Sequence, residues 1–301
     1  MDIPNSKAKV KRESMSSERV YKIFIYVALI TLAVSIIVPV GWVFLASIKE
    51  NAEFYGNPWA MPLGIHIDNF VIAFQEAKMA SYFLNSVLVT AMAIVMLLVM
   101  ALPASYVLAR FEFRFKKIVM TVIRSGLFIN VSYIVVPIFL MLLDWDNGLR
   151  ASGGNSFFLN NRFMLALIYA STALPFTIYL LSSYFETLPA DFEEAAYIDG
   201  ASMFKTMTTV MIPMARPSIV TVILFNFLSF WNEYILALTL MPGSEKTLPV
   251  GLMNLMAAER AAANYGPMYA GMVIVMLPTL ILYMVVQKKL TQGMTAGGIK
   301  A

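Results

Sequence analysis

Two stretches of this chain carry side chains whose types and spacing could do chemistry. The first, FNFLSFWNEYILAL, sets Asn226, Ser229, Phe230 and Glu233 in an apolar background. On one continuous helix turning about 100° per residue these four fall within an arc of roughly 100°, and Trp231 points well away from them. Donors and acceptors beside a flat aromatic face suit a sugar, whose hydroxyls need polar partners and whose C–H face needs a ring. The same groups would equally serve to bond across an interface to a second membrane chain.

The second stretch, LPADFEEAAYIDGASMFKTMTTVMIPMARP, runs from Leu188 to Pro217 and is helix-competent but only weakly apolar. Pro189 can open a helix whose first turns hold Asp191, Glu193 and Glu194, where acids favour the positive helix end. Ala195 and Ala196 continue it and let another surface approach closely, Asp199 follows, and Gly200 supplies a bend that a bulkier residue would make only at a cost. A second helical piece is expected to begin near Ala201 to Phe204, and Pro213 and Pro217 restrict where the next span can start. Such a segment could dock on a partner, with Glu194 pairing a basic group, or be a plain amphipathic connector.

Covalent and metal chemistry find few carriers. Cysteine is absent and His66 is the only histidine, which removes thiolate ligands, disulfides and histidine clusters. No Gly-x-x-x-x-Gly-Lys-Ser/Thr sequence occurs, so nucleotide hydrolysis by a P-loop is excluded. The expectation is a chain that is not an enzyme, with no catalytic residues, no metal and no cofactor of its own.

The elements that must position these stretches are membrane spans. Of 301 residues, 59% are hydrophobic and 13% charged, a composition outside the range of ordinary soluble domains. Six apolar runs approach the roughly 20 residues needed to cross a bilayer as helix: about 23–46, 83–108, 118–143, 164–184, 218–240 and 268–286. The first is longer than a signal-peptide core and lacks a small-residue cleavage site, which favours a retained span. The organisation expected is an N-terminal tail over 1–20, a six-span domain over 21–290 with the 188–217 loop between spans four and five, and a C-terminal tail over 291–301.

Six spans put both termini on one side, and charge decides which. Fifteen Lys and Arg fall in the tails and the loops on their side, among them Lys11, Arg12, Arg110, Lys116, Lys117 and Lys289. The other side holds six: Lys49, Lys78, Arg150, Arg162, Lys246 and Arg260. The positive-inside rule then places both tails and the 188–217 loop in the cytoplasm. The net charge of +4 thus reads as topology rather than nucleic-acid binding, since no basic face interleaved with aromatics is present.

The order Glu194, Ala195, Ala196, then Gly200, then Ile212 and Pro213 resembles the EAA loop in the membrane subunits of binding-protein-dependent ABC importers. The Trp231-Asn232-Glu233-Tyr234 run and the ending LTQGMTAGGIK are similar to the maltose-type, carbohydrate branch, so the resemblance extends from Tyr21 to Ala301. It implies an all-α integral membrane protein with the type I importer permease fold and a cytoplasmic coupling helix. The coupling residues would be Glu193, Glu194, Ala195, Ala196, Asp199, Gly200, Ala201 and Pro213. It further implies a prokaryotic inner-membrane location, a second permease subunit (a different chain or a second copy), two ATP-binding subunits that use ATP-Mg, and an extracytoplasmic solute-binding protein received in part by the 241–267 loop. The competing class is a secondary transporter or channel, which needs ion-coupling carboxylates inside its spans; Glu233 is the one acid placed well inside a predicted span.

Overall fold

The structure, a computed structural model, describes the backbone of residues 6–76 and 78–298. Its long helices are built from Leu, Val, Met, Ala and Phe, and they differ mainly in what ends them. Helix α1 (Ser6–Ala46) starts inside the stretch expected as a tail. Absence of an apolar period says that no face of that stretch packs; it does not stop Lys, Arg, Glu and Met from being helical. Residues 1–5 and 299–301 of the two expected tails lie outside the described residues.

After α1 a loop is held by its own polar groups. Lys49, buried, donates its Nζ to the Pro58 carbonyl at 2.7 Å and sits 5.8 Å from the Phe54 ring centroid. The Glu53 carboxylate accepts from the Leu63 and Glu50 amides, which hold its carboxyl below the usual range. A short helix α2 (Asp68–Val71) continues as a π turn, and Lys78, at φ 56°, begins α3 (Met79–Arg110).

The run expected as one span over 118–143 is two helices: α4 (Lys116–Gly126) and α5 (Val131–Ala151). The break has a local cause, because the Asn130 side chain accepts from the Ser132 amide at 2.9 Å and so caps a new helix. At Gly126 a Cβ would lie 2.8 Å from Pro175 Cγ, so only glycine lets the neighbouring helix come this close. The third span is therefore α5, displaced toward residues expected in a loop. Asn161 caps α6 (Arg162–Thr187) by accepting from the Phe163 and Met164 amides.

Beyond α6 come α7 (Asp191–Ile198), α8 (Met203–Thr206), a π turn, α9 (Ile212–Met214) and α10 (Arg216–Trp231). The expected fifth span, 218–240, is broken after Trp231; α11 (Ile235–Leu240) resumes it, and α12 (Leu248–Ala261) and α13 (Tyr265–Gly298) follow. Helix α13 also runs into the expected 291–301 tail.

Among the described residues five helices are long and apolar enough to cross a membrane, or six if the 203–214 segment and α10, bent by 74°, count as one span. Helices α3 and α6 form the most extensive pairing, and the main core lies between them and α5, α10 and α11. The apolar part of α1, Tyr21–Ala46, buries none of its most apolar window and touches the bundle through α13. That is the behaviour of a helix whose solvent is lipid.

One buried acid organises the end of the bundle opposite α7. Asp146, 1% exposed, accepts from Ser156 Oγ at 2.6 Å and from the amides of Phe157, Phe158 and Leu159 at 2.7, 2.8 and 2.9 Å. It folds the loop after α5 back onto the helix. Asp146→Ala strands these donors and should cost about 3 kcal/mol. The check is limited proteolysis of the purified protein, where cleavage within 152–160 should speed up; an unchanged cleavage rate contradicts this account.

Candidate functional site

Helix α7 is short, and its ends are set by its own residues. Asp191, Glu193 and Glu194 occupy its first turns. At its other end Gly200 takes φ 78°, donates its amide to the Tyr197 carbonyl at 3.0 Å, and the Ala201 amide reaches back to the Ala196 carbonyl at 2.9 Å. This pair of bonds is the glycine-terminated cap that closes a helix and turns the chain. Ser202 then accepts from the Lys205 amide to start α8, and Pro213 lies within α9.

The predicted coupling residues divide between two faces. Glu194, Ala195, Asp199 and Gly200 are exposed, Ala201 and Pro213 are half-buried, and Ala196 is buried against the chain. Glu193 points inward: its Oε2 lies 3.4 Å from Arg110 Nε, and both side chains are about nine-tenths buried. Arg110 also donates Nη2 to the Leu188 carbonyl at 2.6 Å. This guanidinium at the end of α3 thus meets the Leu188 carbonyl just past the C-terminus of α6, where a cation suits the helix dipole, as well as Glu193 in the first turn of α7. The sequence reading missed Arg110 in this role; its place two residues past Leu108, at the end of an apolar run, marked it only as a topology signal. It missed two apolar residues too. Ile198 and Phe204 flank the Gly200 turn and are 86% and 71% exposed. The exposed surface is acidic with protruding apolar groups, a composition that marks contact sites.

The four residues expected to line a path do not share one exposed face. Asn226, 3% exposed, donates to Thr177 Oγ1 at 3.1 Å and to the Val222 carbonyl, within the chain's own core. Phe230 is buried and stacks on Tyr169 with centroids 5.4 Å apart. Glu233 accepts from Tyr169 Oη at 2.7 Å and from the Leu236 and Ala237 amides at 2.7 and 3.0 Å. Ser229 alone is exposed.

Asn226 and Phe230 are buried because their side of α10 packs on Thr177 and Tyr169 of α6, and α10 stops at Trp231, so the phase of the helix cannot be carried to Glu233. That carboxylate instead caps α11 and satisfies two of its free amides. Trp231 does point the other way, stacking on Phe227 and donating Nε1 to the Val275 carbonyl at 3.2 Å. Glu233→Ala should therefore lower stability by about 1–2 kcal/mol, the usual loss for a cap. Ser229→Ala should stay within about 0.5 kcal/mol. Thermal unfolding of the detergent-solubilised protein measures both, and equal midpoints for the two variants would refute the cap.

Residues 101–296 match the family model described as the binding-protein-dependent transport system inner membrane component. The chain is 35% identical to the diacetylchitobiose uptake system permease protein NgcG of Streptomyces coelicolor, over 96% of this chain and 92% of that one. It is 27% identical to the trehalose/maltose transport system permease protein MalG of Thermococcus litoralis, over 95% of this chain and 99% of the relative. Among solved structures it resembles a chain of a bacterial ABC transporter involved in import of the acidic polysaccharide alginate. There the TM-score is 0.74 at 25% identity, over 96% of this chain and 99% of that chain. With an all-helical fold of five or six apolar crossings and a family match across most of its length, the chain belongs to the binding-protein-dependent inner-membrane components, the permease subunits of ABC importers.

Proposed function

We propose that this chain forms half of the translocation path for a sugar or oligosaccharide and couples, through α7 and the Gly200 turn, to a separate ATPase. The observation that carries this reading is the exposed surface of Glu194, Ala195, Ile198 and Phe204 on a segment pinned to the ends of α3 and α6. A docked partner would cover the two apolar groups and offer a basic residue to Glu194. Relatives named for diacetylchitobiose, trehalose and maltose support the solute class.

The remaining parts of the system follow from the same reading. Two ATP-binding subunits would hydrolyse ATP-Mg, since this chain has no P-loop. A second permease subunit would complete the path, and an extracytoplasmic solute-binding protein would deliver the solute near α12. Both termini and the α7 segment would be cytoplasmic, as the loop charges require. Of the residues expected to face the path, Ser229 stays a candidate by its exposure; Asn226, Phe230 and Glu233 are engaged within the chain. The same engagement weakens the secondary-transporter alternative, because the Glu233 carboxylate already holds three donors and is not free to bind a coupling ion.

Two experiments test the reading. Glu194→Lys places like charge against a basic partner, and in reconstituted vesicles it should separate ATP hydrolysis from uptake while the spans stay folded; wild-type uptake would reduce α7 to a connector. For orientation, a cysteine at Ser152 in this cysteine-free chain should react with an impermeant maleimide from outside the cell. Labelling from the cytoplasmic side alone would invert the topology and remove α7 from the ATPase.

A further inference from the structure

The loop between α1 and α2 turns its apolar residues outward. From Met61 to Ile67 burial alternates residue by residue: Pro62, Gly64 and His66 are half-buried, and the residues between them are not. Trp59, Met61, Leu63, Ile65 and Ile67 are all between 64% and 91% exposed. An extended segment bathed in water has the opposite order, with apolar side chains inward and polar ones outward. His66 is the one titratable side chain in 59–67, so the exposed row carries no charge. Large apolar side chains gathered in this way mark a surface that another apolar body covers.

The row also has a fixed height in the molecule. At its start the Trp59 ring lies 5.1 Å from that of Trp42, and Trp42 Nε1 and Lys49 Nζ both donate to the Pro58 carbonyl, at 3.3 and 2.7 Å. In its middle the Leu63 amide donates to Glu53 at 2.9 Å, and near its end the His66 amide donates to the Ile48 carbonyl at 3.0 Å. Trp42 and Ile48 bracket the end of α1 at Ala46, so the row lies beside the last turn of that helix. The apolar part of α1 faces lipid, and the row continues that face at the level where a span leaves the hydrocarbon. Tryptophan favours this level, and two of the four in the chain meet here.

We propose that residues 59–67 are an interfacial lipid anchor, which inserts Trp59, Met61, Leu63 and Ile65 among the headgroups and upper acyl chains of the membrane surface opposite α7. Lipid is the occupant because the row is pinned flush with a lipid-facing helix, and because a row without charge takes its binding from apolar burial rather than from anionic headgroups. The anchor sets the height of α1 in the bilayer. It sets that of α13 as well, since Trp42 and Phe54 pack on Tyr269 with ring centroids 5.0 and 5.7 Å away. The inference rests on the membrane location of the family and is independent of the coupling role given to α7.

The test uses the assembled importer in nanodiscs of phosphatidylcholine, with any cysteine in its other subunits replaced; this chain has none. Leu63→Cys and Ile65→Cys are labelled with nitrobenzoxadiazole and compared with labelled Ser152→Cys. All three positions are exposed, so the label displaces no packing. Phosphatidylcholine carrying a nitroxide near its headgroup should quench positions 63 and 65 roughly twofold or more, because interfacial segments sit about 5–10 Å into the headgroup–acyl boundary. Position 152 should change little, and addition of the solute-binding protein should alter none of this. Water-like emission at 63 and 65 that shifts only when the binding protein is added would assign the row to that protein and overturn the proposal. Blue-shifted emission without quenching would assign it to the second permease subunit, and water-like emission throughout would leave the loop bare; either result overturns it too. Trp59→Phe gives a reading without label: it should remove part of the tryptophan emission that the nitroxide lipid quenches, and an unchanged quenched fraction contradicts the anchor.

Discussion

Inside hydrocarbon a helix end cannot give its free amides and carbonyls to water, and the structure depends on side chains that take water's place. At the two ends of the α3–α6 pair, where the helices meet the loops, an arginine takes the same role. At one end Arg110 donates to the Leu188 carbonyl just past α6 and faces Glu193. At the other Arg162 donates Nη1 to Asn85 Oδ1 at 3.1 Å, and its Nε and Nη2 meet the Glu245 carboxylate at 3.1 and 3.2 Å. Each guanidinium joins three segments at once, which its planar fork of donors allows and a lysine would not. Apolar packing joins the two helices between the arginines, and the arginines tie the neighbouring loops to their ends.

The same constraint explains why the polar residues inside the apolar stretches are spent on this chain's own backbone. Asn130 starts α5, Asn161 starts α6, Glu233 starts α11, and Asp146 gathers the loop amides after α5. A charge at membrane depth is expensive unless it is fully engaged. Glu233, with a tyrosine hydroxyl and two amides, meets that condition without solute, ion or partner.

Hydropathy made the crossings legible and hid the breaks in them. A window of about twenty residues averages over one Asn, so 118–143 reads as a single span although Asn130 ends one helix and begins another. The cap was present in the sequence; what was not legible there is the close approach of Pro175 to Gly126, a contact between residues far apart in the chain. In the 218–240 run, the periodicity puts Glu233 on one helical face with Asn226, Ser229 and Phe230, whereas Asn232 follows the last turn of α10 and the Glu233 carboxylate accepts from the first amides of the next helix. A periodicity rule holds only while the helix does. The turn at Gly200 was readable because its cause is local: a helix closed by left-handed backbone needs nothing from elsewhere. The partner of Glu193 was not, since it sits more than eighty positions upstream at the end of a different helix.

Adjacent acids on a helix point about 100° apart, and that elementary fact assigns Glu193 and Glu194 to different tasks. An eight-residue helix is too short to hold its shape or place by itself, so α7 relies on what anchors it. Glu193, with Ala196, supplies the anchor by facing Arg110 and the bundle, while Glu194 and Ala195 stay in the open. If both acids faced outward, α7 would lack the buried ion pair that ties it to α3. If both faced inward, no charge would remain for the partner to hold. On the proposed reading, one acid on each side would make the short helix a rigid intermediary: force applied at Glu194 would pass through the adjoining Glu193 and its buried ion pair to Arg110, and from there to α3.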